Sequence, residues 1–449
     1  MTVNVTDLLD QNRVGWLQIR VFALCAAVAL LDGYDLLVIG FTAQPISAAL
    51  QVSIGAFGPI FAAAQVGFVV GSFGFAPFGD RLGRKPVLIA GVLIFSICSL
   101  LVVYIDSFSQ LLALRFLTGI GLGIANPLFV SLGADYAPAR LRGTIVTFFW
   151  VGIPLGGTVA GILGSFLLTD FGWKSLYWIG GLAPLAIALL LVVALPESLS
   201  FLVTENKNAA AVRKIVGKIA PALPLDAGTS FVTSETRLPG VPVKHLFTRG
   251  EAVPTLLLWG AFFTIFFVLY ISNSWPAALL KQAGVPAAQA ALITSFYAGG
   301  GIVGTLGVGY LLDRFGPLSV LTTGAIVGAL TTASIGLAAH SFVLSCLALF
   351  VAGTAIGGVA VGIVVLAAKT YPTAIRATGV GWGLGIGRFS GIVGPLFVGS
   401  LVARGWSVES IFALSAIPAL IAAFFVVVLQ GWKNRRGITD EANASLPIT

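Results

Sequence analysis

Twelve stretches of this 449-residue chain are predominantly apolar, each close to the ~20 residues that a helix needs to cross a bilayer. They lie at about 20–44, 56–79, 86–106, 109–134, 143–168, 174–195, 253–273, 288–312, 318–339, 341–366, 376–403 and 406–431. In hydrocarbon an unpaired backbone N–H or C=O costs several kcal/mol, so such stretches must be helices that satisfy their own hydrogen bonds. Composition agrees: 57% of residues are hydrophobic and 9% charged, against roughly 45–50% and 25% in soluble domains, and mean hydropathy is +1.01. The expected fold is an all-α membrane protein with twelve transmembrane helices. Met1 to Gln18 is polar and leads straight into a full-length span. The first helix is therefore expected to be retained and to act as its own insertion signal.

The net charge of +8 is distributed as a topology signal rather than as a nucleic-acid surface. With the N-terminus inside, the inner segments hold twenty of the 25 Lys and Arg, including Arg81, Arg84, Lys85, Arg140, Arg142, Arg314, Lys369, Arg376 and Arg436. The outer segments hold three, Lys174, Lys281 and Arg404, while Arg115 and Arg388 lie inside spans. Both termini are therefore expected in the cytoplasm. Residues 196–252 interrupt the spans with a polar, basic stretch carrying Lys207, Arg213, Lys214, Lys218, Arg237, Lys244 and Arg249. This reads as a cytoplasmic linker between a six-helix bundle over 1–195 and another over 253–449.

The halves repeat each other. Gly79-Asp80-Arg81-Leu82-Gly83 after the second span recurs as Leu312-Asp313-Arg314-Phe315-Gly316 after the eighth. Tyr136-Ala137-Pro138-Ala139-Arg140 recurs as Tyr371-Pro372-Thr373-Ala374-Ile375-Arg376 at nearly the same offset. A duplication of half the chain, with parallel six-helix repeats, is the architecture of a rocking secondary transporter.

Asp32 and Asp35 stand within an otherwise apolar span. A carboxylate at membrane depth costs about 2.5–3.5 kcal/mol on insertion scales unless it is protonated, paired or hydrated. Two on consecutive turns point to a protonatable site in a transport path. Asp32 and Arg388 each lie twelve residues from the inner start of their spans, ~18 Å deep at 1.5 Å per residue, so both are expected near the midplane. Asp35 is about 13 Å and Arg115 about 9 Å from the outer surface, a depth match that permits an Asp35–Arg115 pair. The bland alternative has Arg115 pinning its helix through backbone carbonyls. Asn126, three turns beyond Arg115, shares its helix face, and Gln65 is a further polar candidate for a cavity wall.

Flat apolar partners for a ring exist in Phe266, Tyr270, Trp275, Tyr297 and Trp382, although most aromatics must face lipid or packing neighbours. Trp275 and Trp406, near outer span ends, read better as interface anchors. The glycines from Gly379 to Gly394 read as packing residues. Cys25, Cys98 and Cys346 fall in apolar spans as small core residues, without metal-site or disulfide spacing. No metal or cofactor is expected. His245 and His340 sit in connections, no nucleophile–base pair is evident, and no phosphate-binding glycine loop is present, so neither an enzyme nor an ATP-driven pump is indicated.

The segment Ala76-Pro77-Phe78-Gly79-Asp80-Arg81-Leu82-Gly83-Arg84-Lys85 resembles the signature G-x-L-a-D-R-x-G-R-[KR] of the major facilitator superfamily, with Ala76 in place of the first Gly. Gly309-Tyr310-Leu311-Leu312-Asp313-Arg314-Phe315-Gly316 repeats it with the Gly. Arg115-Phe116-Leu117-Thr118-Gly119-Ile120-Gly121 resembles the family's fourth-helix motif, and Leu195-Pro196-Glu197-Ser198 the motif closing the sixth. Within the superfamily, Asp32-Gly33-Tyr34-Asp35 and Gly385-Ile386-Gly387-Arg388-Phe389-Ser390-Gly391 resemble the aromatic acid:proton symporter branch.

That resemblance implies import of a benzoate-type carboxylate with protons across a bacterial inner membrane, by a protein expected to work as a monomer. Asp32 or Asp35 would carry the proton. Arg388, whose planar fork suits a carboxylate bidentately, would hold the substrate, with Arg115, Asn126, Gln65, Tyr270 and Trp382 around it. The other reading of Arg388 is a pairing with Asp32 or Asp35. Asp80, Arg81, Gly83, Arg84, Asp313 and Arg314, where charge is cheap, would gate the inner side by pairing or by capping a neighbouring helix. The bland reading is a topogenic basic loop. Rivals are proton-driven export, loosely suggested by Gly152-Ile153-Pro154-Leu155-Gly156-Gly157, and a membrane solute sensor without net transport.

Overall fold

The structure, a computed structural model, describes residues 2–205, 209–221, 223, 229–233, 243–248, 251–372 and 375–444, with side chains to residue 434. Lys207, Arg237, Arg249, Thr373, Ala374 and the side chain of Arg436 lie outside the described residues. A short helix, α1 (Val5–Gln11), precedes the first span, α2 (Trp16–Ala49). The second span, Ile54–Leu82, is composite: α3 (Phe57–Val70) passes through a π-helical turn at Gly71–Phe75 and a tighter turn at Ala76–Phe78 into α4 (Gly79–Leu82). Pro77, which has no N–H, falls where the regular ladder stops.

The first half continues through α5 (Arg84–Val102), α6 (Phe108–Asp135), α7 (Ala139–Asp170) and α8 (Lys174–Ala194). Next come the short α9 (Leu199–Thr204) and α10 (Ala209–Ile219). The second half comprises α11 (Ala252–Ser274), short α12 (Pro276–Gln282), α13 (Ala287–Phe315), α14 (Pro317–Ala338), α15 (Phe342–Thr370), α16 (Arg376–Ala403) and α17 (Val408–Ala444). Twelve helices are thus long and apolar enough to cross a membrane among the described residues, at the positions expected from hydropathy.

The chain divides into two compact units, Met1–Pro239 and Gly240–Thr449, with six spans in each. The division falls inside the 196–252 segment. Its earlier part packs with the first unit: Leu199, Phe201, Val212, Ile215, Val216 and Ile219 are buried in one core with Val5 and Leu9. A strand β1 (Thr2–Asn4) pairs in parallel with β2 (Ser230–Val232), a ladder too short to leave a periodic signal in the sequence.

The duplication reaches into the packing. A Cβ on Gly67 or Gly119 would stand 2.0 Å from the carbonyl oxygen of Phe116 or Ala64, so α3 and α6 touch through their backbones. In the second unit Gly300 and Gly353 stand at nearly the same offset as the Asp80 and Asp313 motifs, and a Cβ on either would lie 2.0 or 1.9 Å from the carbonyl oxygen of Phe350 or Tyr297, so α13 and α15 touch in the same way. Small residues take this role in lipid because backbone approach supplies the packing that a hydrophobic driving force cannot.

On α16, Gly379, Gly383, Gly387 and Gly391 receive the rings of Tyr371, Phe262, Phe266 and Tyr270, the packing role expected of them. Trp275 corrects an expectation. It is fully buried rather than an interface anchor, because the chain turns there into α12, whose Ala277, Ala278, Leu279 and Leu280 are buried too. Trp406 is 43% exposed. The three cysteines are free and buried.

Candidate functional site

One helical turn of α2 meets four neighbours. The Asp35 carboxylate lies against the Arg115 guanidinium of α6, with Nη2 3.0 Å from Oδ2 and Nη1 donating to Oδ1 at 3.1 Å. Ser99 of α5 donates to the same Oδ1 at 3.0 Å. Both charged side chains are almost wholly buried, at 1% and 3% exposure. A buried charge needs geometry and hydrogen bonds to replace its hydration; here Arg115 Nη1 and Ser99 both donate to Oδ1, and Oδ2 meets Nη2 as an ion-pair contact. The backbone-carbonyl role considered for Arg115 gives way to a two-point ion pair.

Asp32, one turn earlier and buried, accepts from the Asn126 amide at 2.8 Å. Arg115 and Asn126, three turns apart on α6, thus each serve one of the two aspartates. Between the acids, Gly33 lets α7 approach: a Cβ there would lie 1.8 Å from the Ile153 carbonyl oxygen, and a Cβ on Gly156 1.8 Å from that of Leu30. Tyr34 donates to the Leu176 carbonyl of α8 at 3.0 Å. Sequence reasoning found the two acids and the Asp35–Arg115 pair, gave Asn126 to a cavity wall rather than to Asp32, and missed Ser99. One hydroxyl in an apolar helix carries no pattern of its own. Gln65 is buried on α3.

Where α4 meets α5 in the first unit the capping acid is Glu197, not Asp80. Glu197 Oε1 accepts from the backbone N–H of Arg84 at 2.9 Å, of Lys85 at 3.1 Å and of Ser198 at 2.8 Å. It thereby satisfies the orphan donors at the start of α5. Gly83 makes the approach, at φ +108° and with room for no Cβ beside Glu197 Oε2. Arg84 pairs with Asp135 at the end of α6 and more loosely with Asp80, at 3.8 Å, while Ser198 also donates to Asp135. Asp80 is 58% exposed and Arg81 is exposed; of the two roles expected for Asp80, the structure shows the pairing with an arginine, Arg84, and gives the cap of α5 to Glu197. Glu197 follows the helix break at Pro196, which was the available signal.

In the second unit the counterpart is sparser. Asp313 faces Lys369 of α15 at 3.5 Å, and Arg314 donates to the Tyr310 hydroxyl at 2.7 Å. Arg388 is half-buried on α16 between Gly387 and Gly391, which receive the Phe266 and Tyr270 rings. Those two rings are 6.3 Å apart. Trp382 is 46% exposed and stacks on Trp259 at 6.0 Å.

Comparison with known proteins places these features. The family described as "Sugar (and other) transporter" matches residues 21–239, and that described as "Major Facilitator Superfamily" matches residues 257–445. The 4-hydroxybenzoate transporter PcaK of Pseudomonas putida is 34% identical over 445 residues, covering 99% of this chain and 98% of its own. The gallate transporter of Pseudomonas putida is 36% identical over 430 residues, covering 95% and 94%. Among solved structures, a D-xylose-proton symporter superposes with a TM-score of 0.71 over 91% of this chain and 97% of its own, at 19% identity. That likeness shows the fold. The chain is a multi-pass membrane protein of the major facilitator superfamily and belongs to the branch that holds the aromatic acid transporters.

Proposed function

We propose that this protein imports a small aromatic carboxylate of the benzoate or hydroxybenzoate type together with protons, by alternating access, across the bacterial inner membrane. Both termini face the cytoplasm, and the monomer is the working unit. The relatives named for 4-hydroxybenzoate and gallate support the substrate class, and the charge asymmetry supports the orientation.

The observation that carries proton coupling is the burial of two acids one turn apart on α2, of which Asp35 is held by Arg115. Neutralising Asp35 would strand buried Arg115, at a cost of about 3–5 kcal/mol. The amide of Asn126 suits Asp32 in either state, because a protonated carboxyl still offers its carbonyl oxygen as acceptor. Asp32 is therefore the proton carrier in this reading, and Asp35 with Arg115 and Ser99 holds it in place. Arg388 takes the substrate carboxylate beside the rings of Phe266 and Tyr270, with Trp382, Gln65 and Asn126 as further wall residues. The Asp80, Arg81, Gly83 and Arg84 corner and its Asp313 and Arg314 counterpart gate the inner side.

The test is uptake of labelled 4-hydroxybenzoate into proteoliposomes, with and without an inward proton gradient. Parent protein is expected to concentrate substrate only with the gradient. Asp32→Asn is expected to retain exchange of labelled for unlabelled substrate while losing gradient-driven accumulation. Gradient-driven accumulation by Asp32→Asn at the parent level would overturn the assignment.

A further inference from the structure

In the second unit α13, α14 and α15 enclose a groove of about 660 Å³. Val303, Gly307, Leu311 and Phe315 form one wall, Val320 and Val327 the other, and α15 the floor. Val303, Leu311 and Phe315 are 49%, 41% and 57% exposed, so the groove opens outward at the depth of the membrane. From Val303 to Phe315 the wall runs twelve residues, about 18 Å at the helical rise. One leaflet of a ~30 Å hydrocarbon core is ~15 Å deep. The groove therefore matches one extended acyl chain in length and in chemistry.

Its mouth is cationic. Arg314 is exposed, and its guanidinium is steadied by the Tyr310 hydroxyl at 2.7 Å and lies 5.5 Å from the centre of the Phe315 ring, itself a wall residue. Among the described residues no carboxylate pairs with Arg314, since Asp313 faces Lys369. The internal repeat sharpens the contrast. In the first unit the same corner holds two buried or capping acids, Glu197 and Asp135, which engage Arg84 three residues beyond the counterpart of Arg314. The second half ends its last span on Leu429-Gln430-Gly431-Trp432-Lys433, with no acid where Glu197 stands in the first.

We propose that this groove binds one acyl chain of an anionic phospholipid, with the lipid phosphate on Arg314. The contact itself needs only a bilayer; its assignment to the cytoplasmic leaflet rests on the orientation proposed above. Charge-assisted contact with a basic residue near an anionic surface is worth roughly fivefold in affinity.

Native mass spectrometry of the full chain, released from micelles holding equal phosphatidylglycerol and phosphatidylethanolamine, tests this. Parent protein is expected to retain phosphatidylglycerol several-fold over phosphatidylethanolamine. Arg314→Gln should reduce that preference by roughly fivefold. Gly307→Leu should reduce retention of both lipids, because a Cβ there meets open space and the side chain fills the groove without a clash. Gly309, equally open but outside the lining, is the control, and Gly309→Leu should match the parent. Equal retention of the two lipids by the parent, or parent-like retention by both Arg314→Gln and Gly307→Leu, would overturn the proposal. A dimer that Gly307→Leu dissolves would overturn it too, by showing a second copy in the groove.

Discussion

Removing both partners of the Asp35–Arg115 pair should harm the protein less than the sum of the two single removals. The pair touches at two points, a hydrogen bond of 3.1 Å and an ion-pair contact of 3.0 Å, and is nearly dry. Asp35→Asn leaves the guanidinium without its carboxylate, and Arg115→Gln leaves the carboxylate with the Ser99 hydroxyl as a donor. Each single change should cost about 3–5 kcal/mol. On the scaling for domains of 150–250 residues, about 2–4 °C per kcal/mol, that is a drop of roughly 6–20 °C in the first unit's melting temperature. Asp35→Asn with Arg115→Gln buries two neutral amides that can bond each other, so a coupling energy of about 2–3 kcal/mol should return in a double-mutant cycle. The assay is thermal unfolding in a fixed detergent, followed by size-exclusion chromatography of the heated samples. If the double variant melts at the sum of the two single losses, the two groups act independently and the buried pair is not what stabilises this turn.

Gly33→Ala and Gly156→Ala should each abolish stable folding, because the new methyl would meet a backbone carbonyl at 1.8 Å, whereas Gly74→Ala, which meets nothing, should express normally; comparable yields of all three would refute the close approach. Glu197→Ala should lower stability by about 1–2 kcal/mol through the lost cap of α5, and hydrogen exchange should rise at the amides of Arg84 and Lys85; unchanged exchange there would count against the cap. Arg388→Ala should bind an aromatic acid roughly tenfold to a hundredfold more weakly, with little change for the neutral amide, and Arg388→Lys should be a poor rescue. Isothermal titration of acid and amide against each protein decides it, and an unchanged preference for the acid in Arg388→Ala would move the carboxylate elsewhere.

Membrane residence makes span number and position unusually legible, because each span must write its length in apolar residues. The acids of α2 were legible for the same reason: charge at that depth is too costly to be incidental. Arg115 as the partner of Asp35 followed from helical depth, which the rise fixes; the shared face of Asn126 did not tell that it would reach Asp32. What remained hidden depends on single atoms or short contacts. Ser99 is one hydroxyl among many, and Glu197 looked like the end of a helix until its oxygen met the start of α5. The strand at Thr2–Asn4 is too short to show alternation, and Trp275 sits at a turn that hydropathy reads as a surface.

The turn from Asp32 to Asp35 also limits how the first span moves. Successive side chains leave a helix about 100° apart, so four of them sweep every direction around its axis. Here the four directions are taken by α6, α7, α8 and the α5–α6 pair of donors. Rotation of α2 by even one position would exchange all four contacts at once, and the Gly33 groove would receive a side chain it has no room for. Tilting or bending that carries these neighbours along keeps them all. Cysteine pairs across α2 and α7 near Gly33 should therefore crosslink equally well with and without substrate.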